Sequence, residues 1–137
     1  ATKRILAELQ AKPEDFKYVV FHQPTPRFPR EVARALGFEM AQVKPGLVCD
    51  RIGNTYAGSS LLGLAATLDI AEPGDRILCV SYGSGAGSDA FSFRVTEKIR
   101  ERRGAAPNVR QYLDRRALIR DYATYLRFTG RIVEEGI

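Results

Sequence analysis

The sequence predicts a mixed α/β fold, on three observations. Two short runs, Phe16 to Phe21 and Arg76 to Tyr82, are rich in apolar, aromatic and β-branched residues, which suits buried strands. Two helical stretches lie between them. After the second run, Phe91 to Thr96 alternates apolar and polar residues, as a strand antiparallel to its neighbour would. The order strand, helix, helix, strand, strand belongs to the α/β class, with a mixed sheet and a buried helix layer.

Taken in order, Thr2 can cap a helix running to about Gln10, with Ile5, Leu6 and Leu9 on one face. Lys12 to Asp15 breaks it before the first strand. Pro24, Pro26 and Pro29 enforce a turn, and Pro29 suits the first turn of a helix through Leu36, ended by Gly37. Val43 to Asp50 reads as a loop with room for a further short strand. Asn54 or Thr55 then stands where a helix would be capped, and the segment to about Ala71 is apolar nearly all round, the pattern of a buried helix. Its small residues, among them Ala57, Gly58, Ser59, Ser60 and Gly63, let other backbones approach closely. Pro73-Gly74 ends it, the second strand follows, and GSGAGSD reads as a flexible loop before the third.

The composition, 137 residues with 45% hydrophobic content, suits one domain with a core, 1–137. Ser59 to Ile70 is too short to span a bilayer and carries Asp69, and no signal-peptide pattern opens the chain. Cys49 and Cys79 show no metal-ligand spacing, and a reducing cytoplasm is the plain reading. The net charge of +5 admits an anionic ligand, nucleic acid or a solvated surface. The basic segment 97–120 interleaves Arg with Glu, Asp, Leu and Ile, as a solvent-facing stretch with some helix does, and no nucleic-acid module accompanies it.

Three turns carry candidate chemistry. His22, the only histidine, ends the first strand; it is either a hydrogen-bonded structural residue or a working group. Asn54 sits in a Gly-Asn-Thr turn and is by default a cap. Gly83-Ser84-Gly85-Ala86-Gly87 follows a strand, but no helix comes after it, so it lacks the context of a dinucleotide-binding loop. Its glycines could instead bring backbone N–H groups close to a ligand or a developing oxyanion, or simply form a hairpin. Neither cysteine has a setting that lowers a thiol pKa: Cys79 lies mid-strand and Cys49 precedes Asp50, so both read as buried, inert thiols.

Together, FHQPTPRFPR, DRIGNTYAGSSLLGLA, PGDRILCVSYGSGAGSDAFSF and DYATYLRF resemble hydroxymethylglutaryl-CoA synthase, especially its archaeal-type members, from about Lys17 to the C-terminus. The resemblance implies the C-terminal part of a thiolase-like fold, a Claisen-type condensation of acetyl-CoA with acetoacetyl-CoA in the mevalonate route to isoprenoids, and no cofactor beyond the CoA thioester substrates. It makes His22 the histidine that hydrogen-bonds the acceptor carbonyl and handles protons. Asn54 becomes the amide that helps hold the thioester, with Tyr56 beside it. Gly83, Ser84 and Gly85 become the loop beside the reactive acyl group. Arg27 stands where the family often has a CoA-contacting lysine, with Arg30 nearby; an arginine can hold phosphate in its place.

The family's nucleophilic cysteine and its general acid/base glutamate lie in the N-terminal half of its chain, and the opening strand of the C-terminal half is also expected to be missing here. The resemblance therefore implies a split enzyme, in which a larger thiolase-fold subunit supplies those two residues. Assembly with a thiolase and a small zinc-containing OB-fold protein is permitted by it; a membrane or nucleic acid is not implied. Two other readings stand beside it. One is a subunit of a ketoacyl synthase III-like acyltransferase, whose histidine motif usually reads His-Gln-Ala-Asn; the other is a non-catalytic thiolase-fold scaffold.

Overall fold

The structure, a computed structural model, describes residues 1–132; positions 133–137 of the expected domain lie outside the described residues. Its centre is a three-stranded mixed sheet in the order β1-β2-β3: β1 Tyr18–Phe21, β2 Arg76–Val80 and β3 Ala90–Arg94. β1 and β2 are parallel, with Val19 opposite Leu78, and β3 returns antiparallel, with Cys79 opposite Phe91. Alternation sends Val19, Phe21, Leu78 and Val80 to one face, where Phe16, Ala33 and Phe38 close a core. Val20, Ile77 and Cys79 go to the other face, against Leu64 and Leu68.

The helices cover the two faces. Helix α1 (Thr2–Glu8) brings Ile5 and Leu6 to the first core, as expected, while Leu9 stays 45% exposed. Helix α2 (Arg27–Ala35) adds Ala33 to the same side. Helix α3 (Met40–Val43) and helix α4 (Cys49–Ile52) flank a 3₁₀ turn at Lys44–Gly46. Helix α5 (Ser59–Leu68) lies on the second face. Helices α6 (Lys98–Arg102) and α7 (Val109–Asp114) carry the basic segment, which is mostly exposed, and α8 is Tyr122–Phe128.

Several sequence expectations need correction. Thr2 is not a cap: Ala1 holds that position without a side-chain hydrogen bond, Thr2 is buried within the helix, and α1 ends at Glu8, short of Gln10. Helix α2 starts two residues before Pro29, because Pro26 is already in αR conformation; Pro29 still lies in the first turn, where a missing N–H leaves no bond unmade. The stretch 43–50 is helical turns rather than loop or strand. Gln42 Oε1 accepts from the Glu39 N–H at 2.8 Å at the start of α3, and Pro45 opens the 3₁₀ turn. Asn54 and Thr55 do not cap the long helix, which begins at Ser59 with Gly58 at its N-cap, after a 3₁₀ turn at Tyr56–Gly58. That helix ends at Leu68 rather than near Ala71, and it is not buried all round: Leu61 is 68% exposed. β2 stops at Val80, not Tyr82, because Ser81 already bonds across a hairpin to Asp89. Of the readings open for the glycine loop, the structure shows the hairpin, closed by Gly83 N–H to Gly87 O at 2.9 Å.

Candidate active site

The carboxyl ends of β1 and β2 open on one cavity of about 740 Å³. Parallel neighbouring strands of unlike sequence end side by side here, the usual place for a ligand beside an α/β sheet. His22, Asn54, Tyr56, Gly83 and Ser84 all line it, with Phe28 and Val32 of α2 forming part of its apolar wall. The remaining expected residues lie elsewhere. Gly85 is at the hairpin tip and not on the lining. Arg27 is exposed and paired with Glu31 at 2.6 Å. Arg30 faces a second cavity of about 830 Å³, between α2, α3, α5 and α7.

His22 is the most constrained of the lining groups. Its backbone N–H donates to Val80 O at 2.9 Å, which extends the β1–β2 ladder by one residue. Its Nδ1 lies 2.8 Å from the Oγ of Ser59, the first residue of α5, and its ring leans on Tyr82 with centroids 5.8 Å apart. Nε2 has no protein partner among the described residues, and no unpaired side-chain nitrogen there is buried, so Nε2 is the ring atom left accessible.

Asn54 is held by an Asx turn: Tyr56 N–H donates to its Oδ1 at 2.7 Å. With the oxygen engaged, the Nδ2 amide remains as a donor. Tyr56 follows at φ 51°, a left-handed conformation uncommon for a side chain of its size, and its ring is 75% exposed. At Gly83 and Gly85 an added Cβ would meet nothing within 4 Å among the described residues, so this strip of backbone is open to close approach by another group.

Two polar residues that shape the site were not singled out from the sequence, Gln23 and Ser59. Gln23 is 1% exposed, and its amide is saturated: Nε2 donates to Gly46 O and Ser59 O, while Oε1 accepts from Val48 N–H and Cys49 N–H. A polar side chain directly after an apolar strand and its histidine was the only available signal. The cysteines are buried as expected. Burial pushes the Cys79 thiol up to about 11, and burial, with Asp50 adding to it, raises Cys49.

The chain is similar to known proteins in one consistent direction. Residues 6–95 match the family described as 3-oxoacyl-[acyl-carrier-protein] synthase III C terminal. Hydroxymethylglutaryl-CoA synthase of Methanopyrus kandleri is 62% identical over 132 residues, which cover 96% of this chain and 37% of that protein. The Pyrococcus horikoshii enzyme of the same name is 55% identical over 127 residues, 93% of this chain and 36% of that one. PksG, an HMG-CoA synthase from Bacillus subtilis, superposes with a TM-score of 0.70 at 30% identity, covering 86% of this chain and 33% of that one. The chain thus spans little more than a third of the length of the relatives it matches.

Proposed function

The chain belongs to the family of 3-oxoacyl-[acyl-carrier-protein] synthase III C-terminal domains, and from that membership we propose that it supplies the histidine-bearing part of a hydroxymethylglutaryl-CoA synthase-like condensing enzyme. The observation that carries this reading is the meeting of His22, Asn54 and the Gly83-Ser84 backbone on one cavity. In the reaction, the α-carbon of an enzyme-held acetyl thioester loses a proton and attacks the ketone carbon of acetoacetyl-CoA. A carbon–carbon bond forms, the carbonyl π pair moves to oxygen, and that oxygen ends as an alcohol. His22 Nε2 hydrogen-bonds the oxygen and handles its proton, while the Asn54 amide helps hold the thioester. The open backbone at Gly83, with Ser84 next to it on the cavity lining, is assigned to the flank of the reactive acyl group.

The cysteine that carries the acetyl group and the glutamate that moves the α-proton are assigned to a larger thiolase-fold subunit. Exposed apolar side chains support such a partner: Leu61 on α5, and Phe91 and Phe93 on β3. Phe91 is paired with Cys79, whose thiol reaches Ser60 O, so all three lie on the α5 side of the sheet. A thiolase and a zinc-containing OB-fold protein are further partners to look for. Arg27 and Arg30 are assigned to the phosphates of CoA.

In the assembled enzyme, His22→Ala should lower condensation of acetyl-CoA with acetoacetyl-CoA by roughly 10²- to 10⁴-fold. Unchanged turnover would return the chain to a scaffold role. The family match itself favours one other reading, a ketoacyl synthase III-like acyltransferase. Condensation onto malonyl thioesters, without activity on acetoacetyl-CoA, would select that one.

A further inference from the structure

We propose that Ser59 is a positioning residue that selects the tautomer of His22, leaving Nδ1 unprotonated and turning an Nε2–H donor toward the cavity. The catalytic use of that donor rests on the condensing-enzyme reading; the tautomer rests on geometry alone. Ser59 Oγ has two neighbours, the backbone N–H of Gln23 at 3.2 Å and His22 Nδ1 at 2.8 Å. The Gln23 N–H can only donate, so it takes a lone pair of the hydroxyl. The single hydroxyl proton then has Nδ1 as its one acceptor among the described residues. Were Nδ1 protonated, two donors would face Oγ and the Ser59 proton would be stranded in a side chain only 1% exposed. Donation from Ser59 to Nδ1 satisfies every group, and the neutral ring then carries its proton on Nε2.

The arrangement is braced from behind. Gln23 Nε2 donates to Ser59 O while its backbone donates to Ser59 Oγ, so the residue following His22 holds both ends of the residue that orients it. The first turn of α5 therefore cannot rotate the hydroxyl away without breaking bonds to β1's end. A neutral donor at Nε2 is what a developing oxyanion needs, and the opposite tautomer would present a lone pair to it.

Because His22 is the only histidine, ¹⁵N-histidine labelling of the full chain yields two ring resonances that need no further assignment to a residue. In the neutral ring, Nδ1 should resonate as an unprotonated nitrogen and Nε2 as a protonated one. A wild-type spectrum with Nδ1 protonated, or with both nitrogens averaged equally, overturns the proposal without any variant. Ser59→Ala should give a tautomer mixture and lower kcat of the assembled enzyme by roughly 10- to 100-fold, with KM changed less than about 3-fold. Ser59→Thr, which keeps the hydroxyl, should restore both the spectrum and kcat. An unchanged tautomer in Ser59→Ala refutes the selecting role. If the tautomer is as expected but His22→Ala leaves turnover intact, the condensing role fails and the tautomer assignment stands.

Discussion

His22 and Gln23 are chain neighbours with opposite duties: one leaves a ring nitrogen for a substrate, the other uses every valence of its amide internally. Gln23→Leu would leave Gly46 O, Val48 N–H and Cys49 N–H short of partners in a buried place. It should destabilise the chain by roughly 2–4 kcal/mol, read by urea unfolding. Cys79 makes a different prediction. Its thiol titrates near 11 in the fold against an ordinary 9.0, so the folded state favours the protonated form. That contribution to stability is present in full below pH 9 and is lost as pH rises through about 11. Unfolding midpoints of the wild type should therefore drop more steeply across that window than those of Cys79→Ala. At neutral pH, alkylation of Cys79 should require unfolding. His22 and the glycine loop could be picked from the sequence because each follows an apolar run, Asn54 because it sits in a Gly-Asn-Thr turn before a buried helix, and the resemblance supplied Ser84 and the roles of all three. Ser59 could not, since its partner lies 37 residues away and a serine at a helix start carries no mark of what it faces.

Helix α5 shows how far element-level patterning reaches. Its small residues announce close packing, and the structure uses one of them to the limit. A Cβ on Gly63 would come within 2.6 Å of Gln23 Nε2, 2.7 Å of Gly46 O and 2.8 Å of Val20 Cγ1. Alanine in place of glycine within a helix ordinarily stabilises by about 1 kcal/mol. Here the overlap with buried backbone and a saturated amide outweighs it, and Gly63→Ala should destabilise by roughly 1–3 kcal/mol in the same unfolding assay. Helix α5 starts beyond Asn54 because that residue uses its carbonyl oxygen on Tyr56 N–H in an Asx turn, a bond as local as a helix cap. The helical turns of the 43–50 stretch are not local in origin. They are tied down by contacts outside themselves, from the Gln23 amide to Val48 and Cys49 and from Gln42 to Pro13 O and Phe16 O.

At the scale of the whole molecule, the resemblance to hydroxymethylglutaryl-CoA synthase and the expected fold class, the C-terminal part of a thiolase-like fold, both hold. Among the described residues the sheet has three strands, and β3 is an edge strand whose Phe91 and Phe93 rings stack at 6.1 Å while remaining exposed. Leu61 lies on the same side of the sheet, and this face is where the larger subunit is proposed to sit. Leu61→Glu should change the stability of the chain itself by no more than about 0.5 kcal/mol, since the side chain is 68% exposed. It should nonetheless abolish co-purification with the thiolase-fold subunit; retained assembly would exclude this face as the interface. By itself the sequence determined the α/β class, the antiparallel return of the third strand and the family, because apolar periodicity and motif order are local and survive without neighbours. Only the tertiary structure decided that the ends of β1 and β2 and the Asn54 turn share one cavity, and that Ser59, buried behind it at the first residue of α5, faces His22. Those meetings depend on how sheet and helix stack, a balance of long-range packing and buried hydrogen bonds that no window of the chain contains.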